Sequence, residues 1–195
     1  MIEGVVLAAG RSRRAGVFKP AYRHEGRPLL AHAVATLAAC CERVVVVAGH
    51  RQAEVADLLA AGPRTTLVVN AHHDRGMFSS VQAGVAALTP GLRGFFVLPA
   101  DCPFVETEVT ATMLRTFEEQ DAARVVVPEH GGRGGHPVLL PGRARSVIGT
   151  AAAGATLRDV IRSLGAVRVP VAQPSVLMDI DTRAELRALT EERQV

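Results

Sequence analysis

The chain has 195 residues, 48% of them apolar and 21% charged, and this balance excludes intrinsic disorder as its main state. A net charge of +3 is too small to indicate a nucleic-acid partner by itself, and six Phe, one Tyr and no Trp leave few rings on which bases could stack. No apolar run approaches the roughly 20 residues of a bilayer span, and Met-Ile-Glu opens the chain without the regions of a signal peptide. We therefore expect a cytoplasmic protein with no nucleic-acid and no membrane partner, and the length predicts one domain over residues 1–195.

Short runs rich in Val and Leu alternate along the chain with segments of helical period. Strands are predicted at residues 2–7, 43–48, 66–70, 94–98, 124–127, 138–140 and 166–169. Helices are predicted at residues 29–39, 52–60, 80–88, 106–119, 156–164 and 182–193. The first four strands are nearly continuous apolar runs, which is typical of strands buried on both faces. The alternation predicts an α/β fold, a three-layer α/β/α domain around a mostly parallel, Rossmann-like sheet.

Local signals add detail at the ends of these elements. Ser79 or Ser80 can cap the helix that follows, and Thr182 with Glu185 predicts a capping box for the last helix. The run Gly-Gly-Arg-Gly-Gly at residues 131–135 predicts a loop, because four glycines in five residues disfavour a helix or a strand.

The segment after the first strand carries the strongest functional signal. It reads Leu-Ala-Ala-Gly-Arg-Ser-Arg-Arg-Ala-Gly-Val-Phe-Lys-Pro from residue 7 to residue 20. In an open α/β sheet, ligands bind beyond the carboxyl ends of the strands. A loop there with glycines, Ser12, three arginines and Lys19 suits a triphosphate, because glycines let backbone N–H groups approach the phosphates and the cations neutralise them. The segment is neither a Walker A loop nor a GxGxxG loop.

Two acidic positions predict a metal site. Asp101 follows the end of the fourth predicted strand, where its carboxylate could hold Mg²⁺ over a bound triphosphate. The segment Leu-Met-Asp-Ile-Asp-Thr at residues 177–182 is interpreted as a second acidic strand end. Because parallel strands end at one edge of a sheet, Asp101 and Asp181 are expected to meet at one metal ion. The alternative for each residue is that it only caps a helix.

Ser80 and His136 are the remaining candidates. Ser80 lies in Gly-Met-Phe-Ser-Ser at a predicted helix start, where small polar side chains could contact a base or a ribose. His136 follows the glycine-rich run, and a lone histidine is more often structural than functional.

Together these segments resemble the MobA-like nucleotidyltransferase family, and within it the molybdenum cofactor cytidylyltransferase branch. The family opening, Leu-Ala-Ala-Gly-x-Ser-x-Arg-Met-Gly-x-x-Lys, is met from Leu7 to Lys19 with Ala15 in place of Met. Asp101 matches the metal-binding Asp of the family's Asp-x-Pro. The closing Asp-Ile-Asp-Thr is met at residues 179–182, with Arg183 in place of the following Pro. Ser80 and His136 fall in segments that match the family's Gly-Met-x-x-Ser and Gly-His-Pro.

The resemblance implies a fold like that of nucleotide-diphospho-sugar transferases and a Mg²⁺-dependent reaction. A nucleotidyl group moves from a nucleoside triphosphate to a phosphate-bearing acceptor such as molybdopterin, and pyrophosphate leaves. CTP is favoured over GTP, because an opening with Ala9 resembles the cytidylyl branch, whereas the guanylyl branch tends to Leu-Ala-Gly-Gly.

The implied roles follow the motifs. The catalytic residues are Arg14, Lys19 and Asp101, and the metal is held by Asp101 and Asp181. His136 faces the acceptor. The nucleotide is bound by Leu7, Ala8, Ala9, Gly10, Ser12, Lys19 and Ser80.

Three alternatives remain open from the sequence. Some proteins that resemble this family reduce a small pigment with NAD(P)H, although the chain lacks a GxGxxG loop with its downstream acid. A sugar-phosphate nucleotidyltransferase would use the same chemistry on a different acceptor. A protein that only binds a nucleotide is the third alternative, and the presence of Lys19, Asp101 and Asp181 argues against it.

Overall fold

The computed structural model describes residues 1–10, 12, 15–59, 64–152 and 154–191. Within these ranges the strands are β1 Ile2–Ala8, β2 Arg23–His24, β3 Arg27–Pro28, β4 Arg43–Ala48, β5 Thr65–Val69, β6 Gly94–Pro99, β7 Val125–His130, β8 Arg133–Gly134, β9 Val138–Pro141 and β10 Ala166–Pro170. The helices are α1 Leu29–Ala38, α2 Gln52–Leu59, α3 Met77–Ala86, α4 Thr107–Glu119, α5 Ala144–Thr150, α6 Leu157–Leu164 and α7 Arg183–Glu191. Short 3₁₀ turns are formed by Lys19–Ala21, His73–Arg75 and Pro174–Leu177. In the described part of the chain, every helix is too short or too polar to cross a membrane.

One mixed sheet has the strand order β10-β7-β9-β6-β1-β4-β5, with β8 attached to β7. Strands β6, β1, β4 and β5 pair in parallel, and so do β7 and β10. Strand β9 runs antiparallel to both β6 and β7, so these two groups of parallel strands point the same way. Their carboxyl ends therefore lie at one edge of the sheet, and the prediction of a mostly parallel sheet is confirmed.

Helices cover both faces of the sheet, which completes the predicted three layers. Apolar side chains of α1, α2 and α4 pack against alternate strand residues such as Val6 and Val46. Side chains of α3, α5 and α6 pack against the residues that point the other way, such as Val5 and Val47. Because both faces are covered, almost all residues of β1, β4, β6 and β9 are buried, and this explains why these strands are continuous apolar runs.

The capping predictions had mixed outcomes. The capping box of α7 is confirmed, since Thr182 N donates to Glu185 Oε2 at 2.7 Å and Glu185 N donates to Thr182 Oγ1 at 3.3 Å. The predicted serine cap of α3 is wrong, because α3 begins at Met77 after Gly76. Ser79 lies inside the first turn, and its hydroxyl donates to the carbonyl oxygen of Gly76 at 2.8 Å.

Several elements differ from the sequence predictions, and the two-residue strands β2 and β3 were not predicted. The prediction that residues 131–135 form only a loop is wrong, because Arg133–Gly134 forms β8 and pairs antiparallel with the end of β7. The two linking residues, Gly131 and Gly132, have φ angles of 57° and 78°, as a tight hairpin turn of this twist requires. Helix α5 was not predicted, because seven residues are too few to display a helical period.

Gly84 sets the distance between α3 and the sheet. A Cβ at this position would lie 2.5 Å from Cγ1 of Val5 and 2.8 Å from Cγ2 of Val47. We expect Gly84→Ala to lower the free energy of unfolding by about 1–3 kcal/mol, because overpacking forces the helix off the strands. Gly149→Ala in α5 is the matched control, since a Cβ there meets no atom within 4 Å. Urea unfolding of both variants checks this, and equal stabilities would contradict the packing argument.

Candidate active site

Three distant segments meet at the ammonium group of Lys19. Its Nζ donates to Asp101 Oδ2 at 2.8 Å and to Asp181 Oδ1 at 3.2 Å. The lysine side chain is 12% exposed, and the side chains of Asp101 and Asp181 are 30% and 25% exposed. The structure thus brings together the predicted catalytic lysine and both predicted metal ligands, in a cluster that solvent can reach. We call Lys19, Asp101 and Asp181 the ion cluster.

Backbone hydrogen bonds hold the two aspartates in place. Ala100 N donates to the carbonyl oxygen of Leu7 at 3.0 Å, which ties the turn after β6 to the end of β1. Ile180 N donates to the carbonyl oxygen of Asp101 at 2.9 Å, so the residue before Asp181 is bound directly to Asp101. The cluster lies where β1 and β6 end, as expected for a ligand site in an open sheet.

The prediction that Asp181 ends a strand is wrong. Pro174, which has no N–H to donate to a strand ladder, begins the 3₁₀ turn Pro174–Leu177, and an irregular segment leads from there to α7. This segment crosses the carboxyl edge of the sheet instead of joining it. Asp181 therefore reaches the site through the bond between Ile180 and Asp101.

The charge of Lys19 is set by two opposing influences. Partial burial would lower the pKa of the lysine, whereas the carboxylates of Asp101 and then Asp181 raise it, and the net result is a raised pKa. The side chain is accordingly a full cation at neutral pH, and it balances part of the charge of the two aspartates.

The donor set of the cluster fits a divalent cation. Two carboxylates turn towards one cationic nitrogen, and carboxylate oxygen is the ligand that Mg²⁺ prefers. Across the described ranges, no three His, Cys, Asp or Glu side chains are grouped so that they could hold a metal ion by themselves. This arrangement is typical of Mg²⁺ sites in which one or two carboxylates act together with substrate phosphates and water.

The loop after β1 is only partly described. Leu7, Ala8 and Ala9 are buried and Gly10 is exposed. Ser12 has a φ of 49°, and its hydroxyl accepts a hydrogen bond from the backbone N–H of Lys19 at 3.3 Å. This bond closes the loop onto the base of the ion cluster. Arg14, predicted to be catalytic, lies outside the described residues, as do Arg11 and Arg13.

Ser80 belongs to a polar group at the end of β5, two strands away from β1 along the edge. Its buried hydroxyl accepts from Asn70 Nδ2 at 3.0 Å, and the same amide donates to Ser79 Oγ at 2.9 Å. Asn70 was not predicted as a site residue from the sequence. The available signal was a polar residue at the end of an apolar strand, and Asp101 likewise lies just after the end of β6.

His136 lies two residues before the start of β9, and the C-terminal crossing segment packs against it. Its backbone N–H donates to the carbonyl oxygen of Val176 at 2.8 Å, and a Cβ on Gly135 would lie 2.2 Å from that oxygen. Its Nδ1 is buried without a hydrogen-bond partner in the part of the chain that the structure describes. Burial lowers the pKa of the imidazole, although the carboxylates of Asp101 and Asp179 oppose this, so His136 is neutral at pH 7.

Comparison with known proteins adds the family to this geometry. Residues 4–169 match the MobA-like NTP transferase domain, which covers most of the chain, the end of β1 and Asp101 included. The chain belongs to this family. It is therefore a nucleotidyltransferase, and the resemblance seen in the motifs is confirmed.

Two curated relatives differ in the nucleotide that their names specify. The molybdenum cofactor cytidylyltransferase of Escherichia coli (strain K12) is 27% identical over 139 residues, which cover 71% of this chain and 69% of that protein. The molybdenum cofactor guanylyltransferase of Bradyrhizobium sp. (strain ORS 278) is 30% identical over 167 residues, which cover 83% and 76%. Guanylyltransferases outnumber cytidylyltransferases among the curated relatives, so the names alone do not decide between the two nucleotides.

A solved structure shares the fold. The crystal structure of Rv0371C from Mycobacterium tuberculosis H37Rv, determined as a complex with manganese, superposes with a TM-score of 0.76. It is 22% identical, and the match covers 97% of this chain and 98% of that chain. At this identity the likeness concerns the fold.

Proposed function

We propose that this protein transfers a nucleotidyl group, preferably CMP, from a nucleoside triphosphate to a phosphate-bearing acceptor of the molybdopterin type, with Mg²⁺ as the cofactor. The ion cluster carries the proposal, because it joins one cation and two carboxylates at the carboxyl edge of the sheet. The names of the curated relatives support the acceptor class. Since Lys19 and Asp181 are 162 positions apart, we also propose that residues 1–195 work as one domain.

The reaction needs positioning and charge neutralisation more than covalent catalysis. A phosphate oxygen of the acceptor attacks the α-phosphorus in line, the new P–O bond forms, and the bond to the bridging oxygen of pyrophosphate breaks. Lys19 and Arg14 would bind the phosphates whose charge grows as pyrophosphate departs. Asp101 and Asp181 would hold Mg²⁺, which supplies further neutralisation of that charge.

The remaining site residues divide between the two substrates. His136 would contact the acceptor, since its neutral imidazole lies beside the acidic groups of the site. The nucleotide would be held by the backbone of Leu7, Ala8, Ala9 and Gly10, and by the side chains of Ser12 and Ser80.

The central experiment follows pyrophosphate release from each of the four nucleoside triphosphates, with Mg²⁺ and with molybdopterin or a sugar phosphate as the acceptor. We expect release only with molybdopterin, and fastest with CTP. Turnover with a sugar phosphate but not with molybdopterin would show that the acceptor is a sugar phosphate. Binding of NADPH without any pyrophosphate release would contradict the proposal as a whole.

The nucleotide preference is predicted from Ala9. Its methyl group packs near Gly49, where an added Cβ would lie 2.9 Å from the Cβ of Ala9. The preference itself rests on the resemblance of the Leu-Ala-Ala-Gly opening to the cytidylyl branch, because the guanylyl branch tends to a glycine at this position. Calorimetry with Mg²⁺ should give CTP at least about tenfold tighter binding than GTP, which corresponds to ~1.4 kcal/mol. Ala9→Gly should reduce the ratio, and GTP binding as tightly as CTP in the wild-type protein would overturn the preference.

Lys19 should be needed for turnover. Lys19→Ala removes a contact to charge that develops on the leaving pyrophosphate, and such a loss typically lowers the rate by about 10²–10³. Arg115→Ala is the control, because it removes one exposed positive charge from α4, away from the cluster. Near-normal turnover of Lys19→Ala with an unchanged melting temperature would show that this loop does not bind phosphate.

The two aspartates should act through one metal ion. Asp101→Asn and Asp181→Asn keep the shape of the side chain but remove its charge, so we expect a folded protein that loses most transfer and recovers part of it at raised Mg²⁺. The double variant should be little worse than the worse single one. Asp57→Asn on the exposed side of α2 is the control. Full activity of both single variants at low Mg²⁺ would assign the two aspartates to a structural role.

A further inference from the structure

Lys19 is the one lysine in the sequence, and the other 21 of the 22 basic residues are arginines. Its ammonium group does not extend towards open solvent. It lies between the two carboxylates that the proposed function assigns to the metal, at 2.8 Å from one and 3.2 Å from the other. A divalent cation would need the same two carboxylates.

We propose that Lys19 is an internal counter-ion that competes with the divalent cation for Asp101 and Asp181. The cation binds tightly only when a polyphosphate offers the ammonium group another partner. Nucleotide and metal therefore bind together, and neither carboxylate is left without a positive charge. The inference rests on the proposed function for its metal and its triphosphate.

Electrostatics gives the reason for the competition. Two carboxylates that converge on one point repel each other, and Lys19 offsets this repulsion. A divalent cation that arrives alone must break both ion pairs, and the displaced ammonium would repel it. A triphosphate removes this obstacle because its oxygens accept the hydrogen bonds that the aspartates give up.

The exposures of the three side chains fit such an exchange. The carboxylates are 30% and 25% exposed, whereas the lysine is 12% exposed, so solvent reaches the two carboxylates more readily than it reaches the lysine. Phe18 and Pro20 are buried on either side of Lys19, and Ser12 accepts a hydrogen bond from its backbone N–H. The backbone is thus anchored, and the exchange requires only rotation of a flexible four-carbon side chain.

The first test measures Mn²⁺ binding by calorimetry in the absence of nucleotide. We expect Lys19→Met to bind Mn²⁺ about tenfold or more tightly than the wild-type protein, within the usual range of coupling between two ligands. Lys19→Arg keeps the positive charge and should show no gain. Asp101→Asn placed in the Lys19→Met background should remove the gain, because the ion then lacks one of its carboxylates. Mn²⁺ binding by Lys19→Met that is no tighter than in the wild-type protein would overturn the inference.

The second test uses the wild-type protein and needs no folded variant. Protein labelled with ¹⁵N-lysine gives a single side-chain Nζ signal, because the chain has one lysine. We expect Mg²⁺ alone to leave this signal in place at concentrations where Mg²⁺ with CTP moves it. A signal that stays unmoved while calorimetry shows CTP bound, or that moves fully with Mg²⁺ alone, would overturn the inference.

The two proposals can fail separately. Tighter Mn²⁺ binding by Lys19→Met without any pyrophosphate release by the wild-type protein would support the counter-ion and refute the proposed reaction. Pyrophosphate release by the wild-type protein, with no Mn²⁺ gain in Lys19→Met, would refute the counter-ion alone.

Discussion

The candidate site depends on a backbone hydrogen bond between Ile180 N and the carbonyl oxygen of Asp101. The bond fixes Asp181 beside Asp101, in a segment that belongs to no strand and that is also held at the sheet edge by the bond from His136 N to the carbonyl oxygen of Val176. The backbone bond between Ile180 and Asp101 lies beside the ion cluster, so the bond and the ion pairs hold the same two segments together. Lys19 adds an ion pair on each side of the same junction. A change in either the bond or the lysine is thus expected to affect both aspartates.

Sheet topology explains why His136 reaches the same edge as Asp101. Residues that follow a parallel strand lie at its carboxyl end, which accounts for Asp101 after β6. His136 instead lies two residues before the start of β9, which runs antiparallel and pairs Val138 with Val97 near the end of β6. The start of an antiparallel strand lies where its parallel neighbours end. The reversed direction of β9 therefore brings the loop that carries His136 to the same edge of the sheet as Asp101.

The sequence predicted what depends on periodicity and on short motifs. Continuous apolar strands require two covered faces, so the three layers could be predicted. Lys19 and Asp101 could be expected at one site because the loops that follow parallel strands lie at the same edge of the sheet. Asp181 lies close to Asp101, as expected, but it does not follow a strand. The 3₁₀ turn before it and the backbone bond between Ile180 and Asp101 have no local sequence pattern from which they could be predicted. Asn70 was missed for a related reason: a single polar residue after a strand indicates its role only once its partners on α3 are known.

The geometry of the ion cluster suits a lysine at position 19 better than an arginine. A guanidinium group is planar and binds one carboxylate with two parallel hydrogen bonds, whereas an ammonium group is compact and can donate to two carboxylates at once. The cluster uses the second geometry, with one nitrogen between Asp101 and Asp181. The same compact group on a flexible stem can exchange carboxylate oxygens for phosphate oxygens. The residue type at position 19 is therefore suited both to stabilising the acidic site and to releasing it when a triphosphate binds.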